Sequence, residues 1–179
     1  MVDIGGGTTD IAVVSLGGAV ESSSIKYAGD DYNNALIKYA RRKYNLLIGD
    51  QTAENAKLAI GSVMKREEDV AYDIKGRDLI KGLPKAVTIT ANETVDAFEE
   101  TTNHILGAIH NVLETAPPEL VSDIAVSGIV LTGGGSLIYG LDKLIKERTG
   151  IDAYISEKAL EAVALGAGMS VNLSDKKDD

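Results

Sequence analysis

The sequence contains no cysteine, which excludes disulfides and thiolate metal sites. It has only two histidines, which argues against a histidine-built metal or catalytic cluster. Basic residues are in the minority. Lys and Arg number 18 against 27 Asp and Glu, for a net charge of −9. That balance disfavours a general nucleic-acid-binding surface, so no nucleic-acid partner is expected. No apolar run approaches the ~18 residues of a membrane span. No basic segment followed by an apolar stretch opens the chain as a secretory signal would. A soluble, cytoplasmic protein is therefore expected. The 179 residues suffice for one domain, or for one domain carrying a smaller insertion.

Glycine, by contrast, is in excess. There are 19, about 11% against a usual ~7%. They are clustered, three at Gly5–Gly7 and three more at Gly133–Gly135.

Around these triplets the chain reads as alternating elements. Met1–Ile4, Ile11–Leu16 and the stretch from Ala19 to Tyr27 read as three successive strands. Gly17-Gly18 is expected as the central pair of a tight hairpin turn between the last two. Asp30 or Asp31 caps a helix carrying Tyr32, Leu36, Tyr39 and Ala40, which Gly49 is expected to break. A second helix is expected over 52–64 and a charged loop over 65–69. Short strands at 70–74 and 86–90 are joined through Gly76, Gly82 and Pro84. Thr90 and Glu93 form a capping box for a long helix that ends at Pro117-Pro118. A strand over 127–131 runs into the second triplet, and Ser136 is expected to cap the following helix, which stops at Gly150. A short strand at 152–156, a small-residue helix at 160–171 and a polar tail at 174–179 complete the chain. Without its middle, the order is βββαβαβα, an antiparallel hairpin and parallel crossovers in one α/β sheet.

Three motifs carry chemistry. In Asp3-Ile-Gly-Gly-Gly-Thr-Thr-Asp10, a glycine turn lets backbone N–H groups approach an anion and form a nest, and Thr8 and Thr9 add hydroxyls. Asp3 would repel a bare phosphate, but suits a hydrated Mg²⁺ lying between them. The competing reading is a plain hairpin turn. The second motif, Thr132-Gly133-Gly134-Gly135-Ser136, joins a strand to a helix, where a nucleotide or a close-packed βα turn fits equally. The third is Glu54 and Lys57, three apart on one helix face. They could grip ribose hydroxyls or a purine edge, although on spacing alone a solvent-exposed ion pair is preferred. His104 and His110, and the cluster Arg41-Arg42-Lys43, read as helix-surface residues.

These motifs, in this order and spacing, resemble the actin-like ATPase superfamily, and within it the MreB/Mbl family of bacterial actins. The likeness is carried by VDIGGGTTDIAVVSLGG (2–18), SSSIKYAGD (22–30), RRKYNLLIGDQTAE (41–54), KGRDLIKGLPK (75–85), APPELVSDI (116–124) and GIVLTGGGSLIYGLDKL (128–144). The resemblance implies an actin-like, RNase-H-like lobe with an inserted small α+β subdomain. Residues 1–29 plus 98–173 would form subdomain IIA, and 30–97 subdomain IIB. It implies that Gly6, Gly7, Thr8 and Thr9 are the second phosphate loop, and that Asp3 orients Mg²⁺ through water. Glu54 and Lys57 would then grip the adenosine, and Gly133, Gly134, Gly135 and Ser136 would line the adenine side. ATP or ADP with Mg²⁺ is the implied ligand.

The family's function is an ATP-dependent filament that determines cell shape by scaffolding wall synthesis. Its implied partners are further protomers, a preceding N-terminal lobe and cell-elongation membrane proteins. Its place is the cytoplasm, associated with the membrane as a filament. That N-terminal lobe, with the first phosphate loop and the catalytic carboxylate, is expected to precede Val2, so the chain alone is expected to hydrolyse no ATP. Two departures from the family pattern, Ala159 in place of proline and Glu161 in place of a small residue, would loosen the last connection. A DnaK-type chaperone lobe, a sugar-kinase lobe and a short filament-modulating protein are the alternatives.

Overall fold

The computed structural model describes the backbone of residues 1–174 and the side chains of residues 1–169. Of the expected polar tail, residues 175–179 lie outside the described residues.

The first three strands are β1 (Val2–Ile4), β2 (Thr9–Ser15) and β3 (Gly18–Ile25). Alternation sets the faces of β2, with Thr9, Ile11 and Val13 buried. The β2–β3 turn differs from expectation by one residue. Its positive-φ pair is Leu16 (φ 53°) and Gly17 (φ 79°), and Ser15 pairs with Gly18. A register shift between Val13 and Val14 is the cause, because it leaves only two residues for the turn. Leu16 tolerates the conformation with its side chain fully in solvent.

Helix α1 (Gly29–Tyr44) begins one residue before the expected caps. Ala28 holds the cap position, and the Asp31 carboxylate reaches back to accept its N–H (2.9 Å). The helix ends well before Gly49, at Asn45 in the left-handed region (φ 49°). A strand that the sequence did not signal, β4 (Leu46–Leu47), follows, and Gly49 caps α2 (Asp50–Ile60) instead. Strands β5 (Ala71–Asp78) and β6 (Pro84–Thr90) are longer than expected and complete the antiparallel sheet β4-β5-β6. Gly76 lies inside β5 rather than in a loop. A Cβ there would stand 2.2 Å from the Leu47 carbonyl oxygen, so glycine is what lets β4 pair.

Helix α3 (Ala91–Thr115) is the long helix. Its first turn is capped by the Thr90 N–H donating to Glu93 (3.1 Å). Its inner face buries Phe98, Ile105, Ile109 and Val112. Tyr32 of α1 packs its ring edge-to-face on Phe98 and shares a hydrogen bond with the Thr102 hydroxyl (3.2 Å). Helix α4 (Pro118–Ser127) was not expected. None of its residues is fully buried, and its apolar face is limited to Leu120, Val121 and Ile124, half-buried against the core, a short stripe directly after Pro117-Pro118.

Strand β7 (Ile129–Thr132) then enters the sheet parallel to β1. A 3₁₀ turn (Gly134–Leu137) follows, so Ser136 sits within it rather than capping a helix. Helix α5 (Leu141–Thr149) starts only after Gly140 (φ 84°) and ends at Gly150 (φ 73°). Strand β8 (Ala153–Ile155) adds parallel to β7, and α6 (Ala162–Ser174) closes the described chain. The main sheet order is β3-β2-β1-β7-β8. One apolar core joins Ile4, Leu131, Tyr32, Phe98, Ile105 and Ile145 with Leu46, Ile74 and Ile89 of the smaller sheet.

Candidate functional site

The turn between β1 and β2 is tied down by its carbonyls. Gly5 N–H donates to Thr8 O (2.9 Å). Gly5 O accepts the Gly29 N–H (3.0 Å), and Gly6 O accepts the Asp30 N–H (2.8 Å). The first N–H groups of α1 are therefore spent on the turn, and the helix end itself is not the anion site. Gly6, Gly7 and Thr8 are exposed, and no carbonyl among the described residues accepts their N–H groups. A Cβ on Gly7 would meet nothing within 4 Å, so the folded chain itself does not require glycine there.

The two threonines part company. Thr8 donates its hydroxyl to Asp10 (3.0 Å) at the surface. Thr9 is fully buried, and its hydroxyl donates to Tyr27 O (2.7 Å). Its side chain thus faces the core, where the resemblance implied a phosphate contact.

Asp3 pairs across the sheet with Asp10 on one side and with Thr132 on the other. Its Oδ1 accepts the Thr132 hydroxyl (2.8 Å). Carboxylates directly opposite one another repel, and neither forms an ion pair with a Lys or Arg among the described residues. Both line a groove of about 750 Å³ beneath α6. No three His, Cys, Asp or Glu among the described residues converge to hold a metal.

In the second loop, packing accounts for two glycines. Gly133 has φ 80° and ψ 162°, and a Cβ on it would lie 2.3 Å from Ile4 O. A Cβ on Gly135 would lie 2.3 Å from Ile4 Cγ2. Ser136 is buried and donates its hydroxyl to Gly133 O (2.6 Å). Of the triplet, only Gly134 is exposed. The Ala159 carbonyl accepts the Gly133 N–H (2.8 Å), and Ala159 N–H donates to Ser156 O (3.1 Å). Of these two bonds only the second needs the N–H of residue 159, which a proline at this position would lack.

Glu54 and Lys57 are not a free surface pair. The Lys57 side chain is only 9% exposed. Its ammonium donates to Glu54 Oε2 (2.7 Å) and to Gly29 O (3.1 Å). Gly29 in turn donates to the first loop, so the pair is two hydrogen bonds from Gly5. Asn33 of α1 donates to the same Glu54 oxygen (2.6 Å). The Lys57 bond holds the Glu54 carboxyl below its usual range, against the opposing effect of burial and with further help from Asn33. Glu54 is thus ionised at neutral pH.

Gly29 and Asn33 were missed by sequence reasoning, and Thr132, although part of the second motif, was given no role toward Asp3. Gly29 and Asn33 carry a faint signal, a glycine after a strand with an amide four residues on along the same helix face. The remaining sequence candidates lie apart. His104 stacks on Tyr27 (3.8 Å between rings), His110 faces Glu114 (3.2 Å), and Lys43 is engaged by Glu93 and Tyr39.

A family model for MreB/Mbl proteins matches residues 1–179. The cell shape-determining protein MreB of Escherichia coli (strain K12) is 45% identical over 175 residues, covering 98% of this chain and 50% of that protein. Among solved structures, MreB5 of Spiroplasma citri bound to ADP superposes with a TM-score of 0.94 at 38% identity, over 98% of this chain and 54% of that one. A MamK double helical filament superposes with a TM-score of 0.74 at 25% identity, over 88% of this chain and 49% of that one. The chain thus spans about half the length of the relatives it matches.

Proposed function

The chain belongs to the MreB/Mbl family and has its actin-like α/β fold, and from that premise we propose that it forms one wall of an adenine-nucleotide site in a cell-shape-determining filament protein. One observation carries this reading. The solvent-facing N–H groups of Gly6, Gly7 and Thr8 lie in the same hydrogen-bonded unit as the ionised Glu54–Lys57 pair, joined through Gly29. A nest of N–H donors suits phosphate oxygens. An ionised carboxylate with an ammonium beside it suits ribose hydroxyls and a polar base edge. The ADP bound to the Spiroplasma protein is the ligand class that fits both.

The donor set also fits Mg²⁺. Asp3 and Asp10 stand side by side without a cationic partner among the described residues, which favours a divalent ion near them. Mg²⁺ is commonly held by one or two carboxylates, with phosphate and water completing its shell. When bound, it would neutralise phosphate charge. The chain's own residues would do the rest. Asp3, fixed by the Thr132 hydroxyl, would hold the hydrated ion, and Gly6, Gly7 and Thr8 would donate to phosphate. Glu54 and Lys57 hold the nucleoside, and Gly134 offers a bare backbone surface toward the base. Thr9, Gly133, Gly135 and Ser136 shape the two loops from behind.

In this reading residues 1–29 plus 98–173 are subdomain IIA, around the five-stranded sheet, and 30–97 are subdomain IIB, around the three-stranded one. Self-association into filaments, contact with cell-elongation membrane proteins and membrane association belong to the same proposal. Family membership sets aside the chaperone and sugar-kinase readings, and nothing observed favours a separate filament modulator.

The test is an NMR titration of the ¹⁵N-labelled chain with ADP and Mg²⁺. Saturable shifts at the Gly6, Gly7 and Thr8 amides and around Glu54, lost without Mg²⁺, are expected. Shifts confined to other surfaces would overturn the reading.

A further inference from the structure

Glu54 is held by one oxygen only. Oε2 receives both Asn33 Nδ2 (2.6 Å) and Lys57 Nζ (2.7 Å), from two different helices. No described residue donates to Oε1, and the side chain keeps 35% of its exposure. A glutamate carboxylate turns easily about its last torsion. Lys57 alone, on a flexible stem three residues along the same helix, would hold its distance but not its plane. Asn33 reaches it from α1 and is itself 9% exposed, so it has little freedom to follow a turning carboxylate.

Asn33 gives up something to make this bond. Its Oδ1 is buried with no partner among the described residues, against the general rule that buried polar atoms are paired. Turning the amide over would point that oxygen at the Glu54 carboxylate, acceptor against acceptor. The ionised glutamate thus dictates the orientation of the amide, and an unsatisfied oxygen is retained to keep Nδ2 in place. Asn33 also stands one helical turn beyond Gly29, which carries Lys57 on its carbonyl and the first glycine loop on its N–H.

We infer that Asn33 is a positioning residue of this site, pinning Glu54 through Oε2 so that Oε1 is aimed at a ribose hydroxyl. This rests on the nucleotide reading proposed above. The lowered titration of Glu54, to which Asn33 contributes, agrees with it.

The experiment compares the affinities of ADP and 2′,3′-dideoxy-ADP, both with Mg²⁺, for wild type, Asn33→Leu, Asn33→Asp and Glu54→Gln. A hydrogen bond to a charged acceptor should favour ADP about tenfold in wild type. Replacing Asn33 should bring that ratio close to one. A merely structural role would weaken both nucleotides equally and leave the ratio intact. If Glu54→Gln abolishes the preference and the Asn33 variants keep it, the positioning role is overturned while the nucleotide reading stands. If Glu54→Gln keeps it, the nucleotide reading itself fails at this residue. A second readout needs no nucleotide, namely the ¹³C titration of the Glu54 carboxyl, with Lys57 beside it throughout. Its midpoint should rise in both Asn33 variants, and an unchanged midpoint overturns the proposal. Asn33→Asp keeps the side-chain volume, so the test survives if leucine is not accommodated.

Discussion

The two glycine triplets should respond in opposite ways to a single methyl group. In Gly133→Ala the new Cβ would lie 2.3 Å from Ile4 O, 2.6 Å from Ile4 C and 2.8 Å from Asp3 Oδ1. Two of those atoms are backbone of β1, which pairs with β7 in the main sheet, so they cannot yield without loosening the sheet. The φ of 80° with ψ of 162° is a region that essentially only glycine occupies, with a strain of about 1–3 kcal/mol for other residues. Overpacking adds about 1–3 kcal/mol, and the stiffer unfolded chain returns about 0.4–1 kcal/mol. The expected loss is about 2–5 kcal/mol, or a Tm lower by about 5–15 °C for a chain of this size.

Gly7→Ala meets no atom within 4 Å and has no left-handed φ to strain. Its stability should stay within about 1 kcal/mol of wild type. Its affinity for ADP with Mg²⁺ should nonetheless fall, by about tenfold if the loop backbone must approach phosphate closely. Urea denaturation followed by circular dichroism measures the first quantity, and calorimetric titration the second. A Gly133→Ala variant as stable as wild type would refute the packing reasoning. A Gly7→Ala variant that binds unchanged would refute the claim that the loop's open side faces a ligand.

Thr9→Val removes the buried donor to Tyr27 O and should cost about 1–3 kcal/mol in urea denaturation, whereas an unchanged midpoint would mean that this hydroxyl anchors nothing. Burial pushes the Tyr32 phenol up to about 12 from 10, only partly offset by its Thr102 hydrogen bond. The folded state therefore holds this proton more tightly than the unfolded one. That contribution, about 2–3 kcal/mol, is complete below pH 10 and is lost as pH rises from 10 to about 12. Tyr32→Phe should flatten the alkaline limb of a stability–pH curve, and an unaltered limb would count against the assignment.

Local signals read well where one element carries them. The period-2 run of Ile11 and Val13 already places Thr9 on the buried face of β2, so its inward hydroxyl could have been read from the strand alone. The capping box at Thr90 and Glu93 and the apolar stripe of α3 were legible for the same reason. Helix α4 was not, because its three half-buried apolar residues, Leu120, Val121 and Ile124, follow directly on a Pro-Pro pair that reads only as a helix end. Glycines were legible as positions and ambiguous as causes. Gly76 looks like a loop residue until Leu47 is seen across from it, and Gly133 needs Ile4, 129 residues earlier in the chain, to explain it. The Glu54–Lys57 spacing taken alone pointed to an ordinary surface pair. What sets it apart is that Lys57 ends on the carbonyl of Gly29, whose N–H holds Gly5, while Asn33, 21 residues before Glu54, closes over the carboxylate. Each of those bonds joins different elements, and no spacing within one helix can encode them. The resemblance pointed to the pair as a grip on adenosine but assigned no role to Asn33 or Gly29, the two residues of α1 that bond it.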